Sequence, residues 1–151
     1  MEPVVNSVEI SRRPEDVFAY ATDPSHLPEW QESVVSARGG TPPTEGSRVV
    51  VTRRIGRMEK AATSEMTELN PPKSWAVRGI DGAVRGSVKG TVEPLEDGAR
   101  SRVTIALGFE THGIGKLLLP LVLVARRQAQ SEMPRNMQLL KQRLEGDASA
   151  S

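Results

Sequence analysis

The sequence predicts an α+β domain in which an antiparallel sheet is closed by one long C-terminal helix. Three observations predict it. Alternating strands follow one another at hairpin spacing from Arg48 to Phe109. After Gly113 and Gly115 the apolar period changes from two to between three and four. Helix-start signals cluster near the N-terminus, so helices are expected at both chain ends of a run of strands.

The elements follow in order. Val4, Val8 and Ile10 share one parity, with Ser7 and Glu9 on the other, as in a half-buried strand. Pro14-Glu15-Asp16 opens a helix: proline suits its first turn, and the two acids oppose the helix dipole. Val17, Phe18, Tyr20 and Ala21 supply its buried side. Asp23-Pro24 caps a second, short helix that runs through Leu27 and ends before Trp30. Val34 to Arg38 is a short strand, and residues 39–43, Gly-Gly-Thr-Pro-Pro, form a loop.

Arg48 to Ile55 and Met58 to Leu69 form a hairpin around Gly56-Arg57. A two-residue turn makes residues whose numbers sum to 113 face each other. Val49, Val51 and Arg53 then lie inward with Lys60, Ala62, Ser64 and Met66. Arg54 pairs with Glu59 on the outer face. Asn70 to Lys73 is a turn. Trp75 and Val77 point inward on the next strand, Asp81-Gly82 turns the chain, and Val88, Gly90 and Val92 alternate after it. Following the turn at Glu96-Asp97-Gly98, residues Val103, Ile105, Leu107 and Phe109 give the cleanest alternation in the chain.

The final helix opens with an apolar run, Leu117 to Ala125. Its face is written by Leu118, Leu121, Ala125, Ala129, Met133, Met137, Leu140 and Leu144. Pro134 lies inside the helix and should kink it. One domain over 1–146 and a disordered tail over 147–151 are expected.

Composition narrows the function classes. Only 3% of residues are aromatic and 37% hydrophobic, so few large rings are available: the core is either small and aliphatic or incompletely filled, and the second is what a ligand pocket requires. The net charge is +1 without a basic stripe, which argues against nucleic acid. The chain has no cysteine, which excludes disulfides and thiolate chemistry. No signal peptide is legible, and Leu117 to Ala125 is short of the roughly 20 residues that span a bilayer. A cytoplasmic bacterial protein without stable membrane insertion is the expectation.

Candidate chemistry is sparse. His26 and His112 stand in different segments without a carboxylate at ligand spacing, so neither a metal nor a cofactor is expected. His26 reads as a surface residue, and His112 as a loop residue before the last helix. Gly86 to Gly90 is not a nucleophile elbow, and Gly113 to Lys116 is not a phosphate loop but a hinge. No catalytic residue is assigned. Trp30 reads as structural packing. Trp75 is divided between core packing and ligand contact. Arg53 and Lys60, inward on the hairpin register, either meet the polar end of a ligand or reach water at the tip with their stems on apolar surface.

Several pieces together resemble a known superfamily: Ser7-Val8-Glu9-Ile10 with Pro14 to Phe18, Asp23-Pro24 with Leu27 and Trp30, Gly46 to Val49, Glu68 to Pro72, Val92-Glu93-Pro94, and Leu118 to Leu121. They are similar to the START-related, birch-pollen-allergen-like helix-grip superfamily (SRPBCC) and, within it, to the bacterial polyketide cyclase/dehydrase-like group. The resemblance covers roughly Val4 to Leu144. It implies a curved sheet of seven strands gripping the final helix, with a cavity between them. It does not imply one activity, since fold alone does not fix function.

The sequence reading is therefore a module that binds, carries or sequesters a small hydrophobic molecule such as a lipid, quinone or polyketide. The expected lining is Val51, Arg53, Met66, Trp75, Val77, Val88, Ile105, Leu107, Phe109, Leu118, Leu121, Val122 and Ala125. One alternative is a polyketide aromatase/cyclase or dehydratase, for which Arg53, Ser64 and Thr63 are the groups on offer. Another is an interaction module. The apolar start of the last helix must bury its outer side under loops, as a lid, in a homodimer or against a membrane surface.

Overall fold

A computed structural model describes residues 2–111 and 115–150. His112 and Gly113 lie outside the described residues. The elements are β1 (Val4–Ile10), α1 (Pro14–Thr22), a 3₁₀ turn (Pro24–His26), α2 (Leu27–Trp30), β2 (Val34–Gly39), β3 (Arg48–Ile55), β4 (Met58–Asn70), β5 (Ser74–Gly79), β6 (Val84–Leu95), a 3₁₀ turn (Glu96–Gly98), β7 (Arg100–Thr111), a 3₁₀ turn (Gly115–Leu118) and α3 (Leu119–Ala150).

The seven strands form one antiparallel sheet in the order β1-β7-β6-β5-β4-β3-β2. The sheet is curved around the long helix, and the architecture is the helix-grip fold. Only the β1–β7 neighbours are distant in sequence. Every other pair is consecutive, which is why the succession of turns foretold the sheet.

The β3–β4 register follows the rule derived from the turn: Arg48 pairs with Glu65, Val51 with Ala62, and Ile55 with Met58. Gly56 takes φ 62°, which an L side chain at this first turn position would resist. Arg54 lies 3.8 Å from Glu59, the expected exposed cross-strand pair.

α1 starts at Pro14 as expected. The Asp23 side chain caps the next turn by accepting from Ser25 N–H at 3.0 Å. The short helical segment runs one residue further than expected and includes Trp30, whose ring is buried. His26 is not a free surface residue. It stacks on Tyr20 with ring centroids 4.3 Å apart, and its Nδ1 donates to Glu29 Oε2 at 2.9 Å.

The main core unites β1, α1, Trp30, Trp75, Val92, Val103 and Ile105 with Met133, Met137, Leu140 and Leu144 of α3. Val34, Val49 and Val51 form a separate small cluster against Leu27 and Ala37. α3 rests on β1, β7 and α2, and so covers one side of the concave face more fully than the other. The helix is continuous through Pro134, and its bounds run to Ala150.

Candidate functional site: an apolar cleft under the last helix

The concave face is built from cross-strand rows. Leu69, Trp75, Gly90, Ile105 and Asn6 form the lowest row that matters here. It is closed. The Trp75 ring lies across Gly90 and meets Phe18 edge-on, with centroids 5.7 Å apart. Trp75 is thus core, and it offers a ligand at most the rim of its ring as a floor.

The next row is Met66, Val77, Val88, Leu107 and Val4. Its ends, Met66 and Val4, are buried, while Val77, Val88 and Leu107 between them are only half-buried. The row above it contains Ser64 opposite Gly79, and Gly86 opposite Phe109. Two glycines and a serine cannot fill the space a row of valines would fill. Over β4 to β7 the concave face is therefore lined by apolar and small residues, and it meets solvent at Gly86.

The start of α3 is the other wall expected from the sequence. Val122 is 3% exposed, and Leu118 and Ala125 are half-buried, but Leu121 is 56% exposed. Leu121 is a correction to the expected lining. Neighbours 121 and 122 are both apolar, and the side that faces the sheet is that of Val122. Val51 needs a second correction. It faces inward as expected, but packs with Val34 and Val49 in the satellite cluster, apart from Val77 and Leu107.

Arg53 shares the concave parity of Val49 and Val51 and stands opposite both Val34 and Lys60. Its guanidinium is half-buried, and Nη1 donates to Ser33 Oγ at 3.2 Å. Burial pushes Arg53 below its ordinary pKa, and the charge of Glu132 on α3 pulls it part of the way back. Lys60, one strand over, is exposed. The two readings of these cations divide: Lys60 reaches water, while Arg53 is held inside the hairpin.

Beside Arg53, a groove of about 310 Å³ is lined by Glu32, Ser33, Arg54, Gly56, Gln128 and Glu132. It brings the hairpin tip against the third and fourth turns of α3. Gln128 Nε2 donates to Glu132 Oε1 across 3.1 Å. Sequence reasoning missed Ser33, Gln128 and Glu132, since nothing local marks a helix carboxylate as the neighbour of a hairpin arginine. A second depression, about 350 Å³, lies on the outer face of the sheet around Ala76, Ser87, Ala106 and Gly108, away from the grip. Its cause is the small side chains there.

Of the groups offered for catalysis, Ser64 faces the cleft. Thr63 faces outward, its backbone N–H bound to Asp81 Oδ1 at 2.9 Å. Among the described residues, no three of His, Cys, Asp and Glu gather where they could hold a metal.

The chain belongs to the family described as polyketide cyclase / dehydrase and lipid transport, whose model matches residues 1–145. Solved structures share its fold at low identity. A protein from Thermus thermophilus is 21% identical with a TM-score of 0.74, covering 99% of each chain. A START superfamily protein from Mycobacterium smegmatis is 12% identical with a TM-score of 0.74, covering 97% of this chain and 99% of the other. The di-domain ARO/CYC BexL from the BE-7585A biosynthetic pathway is 16% identical with a TM-score of 0.73. There the match covers 96% of this chain but only 47% of BexL, so the chain spans about half of that protein's length. Among curated proteins none matches the chain by sequence.

Proposed function

We propose that the protein binds a small hydrophobic molecule in the cleft between the concave face and the start of α3, as a carrier or sequestering module. The observation that carries this reading is the row of small residues: Ser64, Gly79 and Gly86 follow the half-buried Val77, Val88 and Leu107 on the concave face, and the last helix opens with a segment of leucine and valine. Ile105 and Met66 close the bottom; Phe109, Leu118, Val122 and Ala125 complete the walls. Apolar burial supplies the affinity at about 25 cal/mol per Å² before the costs of association. Arg53 gives the site one oriented cation, suited to a carboxylate, enolate or carbonyl end of the ligand.

The family description and the likeness to an aromatase/cyclase domain support a polyketide-like ring as one class of occupant. Binding accounts for the site better than turnover does. The polar groups on its walls are Ser64 and Arg53, which donate hydrogen bonds, and the carboxylates beside Arg53 are engaged, Glu132 by Gln128 and Glu32 by Arg135, whereas proton abstraction needs an available base within reach of the substrate. Native mass spectrometry of the purified protein, before and after solvent extraction, tests the reading together with titration by the fluorescent fatty acid cis-parinaric acid. Saturable binding displaced by apolar competitors, and weakened by Val88→Glu, is the expected result. A protein that carries no extractable molecule and shows no saturable fluorescence has no such site.

A further inference from the structure

Among the described residues, ten large hydrophobic side chains are exposed, and seven of them fall in two segments. Ile55 and Met58 flank the β3–β4 turn. Leu117, Leu119, Leu121, Leu123 and Val124 form the start of the last helix. Met58 is 72% exposed and Leu117 74%. The two segments are neighbours in space. The groove that holds Arg54 and Gly56 of the hairpin tip also holds Gln128 of α3, about 6 Å along the helix axis from Val124.

The charge in these two segments is positive on balance, although Glu32 and Glu132 line the groove between them. From Thr111 to Ser131 the sequence has no Asp or Glu, while Lys116, Arg126 and Arg127 lie within it. Arg57 sits in the turn between Ile55 and Met58, and Arg54 and Lys60 flank it with one acid, Glu59, which lies 3.8 Å from Arg54. The whole chain carries only +1, so this is a local excess.

The shape of the apolar surface says which occupant fits. Val122 faces the sheet. At about 100° per residue, Leu121 and Leu123 lie on opposite flanks of the helix, and Val124 points away from the sheet. A flat protein partner would bury the back and at most one flank. Immersion in the head-group and upper acyl region of a bilayer covers both flanks and the back at once. Among the described residues no helix is long and apolar enough to cross a membrane, and the contact inferred is a peripheral one.

We infer that the β3–β4 tip and the start of α3 form a docking surface for an anionic lipid membrane, with apolar side chains inserted and arginines at the phosphate level. The inference does not depend on the ligand reading, although the same helix segment walls the cleft and would place its mouth at the bilayer.

The test is co-sedimentation of the full chain with phosphatidylcholine vesicles, with and without phosphatidylglycerol, alongside sedimentation velocity of the protein alone. Binding is expected to the anionic vesicles. It should fall at least about tenfold for Leu123→Glu and for Met58→Glu, and roughly fivefold for Arg57→Gln. All three positions are exposed, and circular dichroism checks that the variants fold. Absence of binding to anionic vesicles, or unchanged binding by both glutamate variants, overturns the inference. So does a concentration-dependent dimer that Leu123→Glu abolishes in a protein that ignores vesicles, which assigns the face to a second copy of the chain.

Discussion

Gly90→Ala puts the packing under the cleft to a test whose sign matters as much as its size. In an ordinary strand, replacing glycine by alanine gains roughly 0.5–1 kcal/mol, because the unfolded chain loses freedom. At Gly90 the added methyl would strike Cζ2, Cε2 and Cη2 of Trp75, well under the 3.0 Å that real Cβ contacts respect. Against a carbon–carbon optimum of about 3.5–4.0 Å, the overlap is about 1 Å or more. The indole has little room to retreat, since Trp75 is buried and Phe18 stands edge-on at 85° to its ring. Overpacking of this kind costs about 1–3 kcal/mol, and three struck ring atoms place it at the upper end. The net expectation is a loss of about 2 kcal/mol, or roughly 4–8 °C in Tm for a chain of this size. Urea unfolding followed by near-ultraviolet circular dichroism measures it. The double variant with Trp75→Leu should recover most of the loss, giving a coupling near 2 kcal/mol. A Gly90→Ala protein as stable as the parent, or additive with Trp75→Leu, would show that the ring does not lie across Gly90.

Two further perturbations probe the charged groups. Arg53→Met keeps the apolar stem but removes a half-buried cation whose hydrogen bond goes to neutral Ser33. Stability by thermal melt should be equal to or above the parent's, while affinity for cis-parinaric acid falls tenfold or more and affinity for the matching alcohol is unchanged; equal losses for both would remove Arg53 from the site. Glu29→Gln tests the N-terminal helices. The hydrogen bond from His26, helped by Tyr20 and opposed by partial burial, holds the Glu29 carboxyl below its ordinary 4.5. A depressed carboxylate stabilises the fold above its unfolded pKa, and that contribution is lost as pH falls through the folded value. The stability difference between parent and variant should therefore be level at neutral pH, shrink below about pH 4.5 and vanish in stronger acid; a constant difference across that range would rule the linkage out.

The elements of this fold were legible because their signals are local. Pro14 and the Asp23 cap announce helices, and the parity of Val103, Ile105 and Phe109 announces a strand. The two-residue turn at Gly56-Arg57 carries the β3–β4 register for eight residue pairs, because a side-chain period of two leaves no freedom once the turn is set. The inward position of Arg53 followed from that register alone.

What the sequence could not determine is where periodicity carries no phase. From Leu117 to Val124 nearly every residue is apolar, so no pattern says that Val122 faces the sheet and Leu121 faces out. That was decided by where α3 comes to rest on β1 and β7. Nor could local signals separate Val51 from the main core, enclose Trp75 between Phe18 and Gly90, or set Glu132 near Arg53. Each depends on sheet curvature bringing together residues far apart in the chain. The sequence by itself determined the strands, their parity and the helix that closes them. Only the tertiary structure decided which apolar surface is spent on the core, which lines the cleft, and which remains uncovered at its mouth.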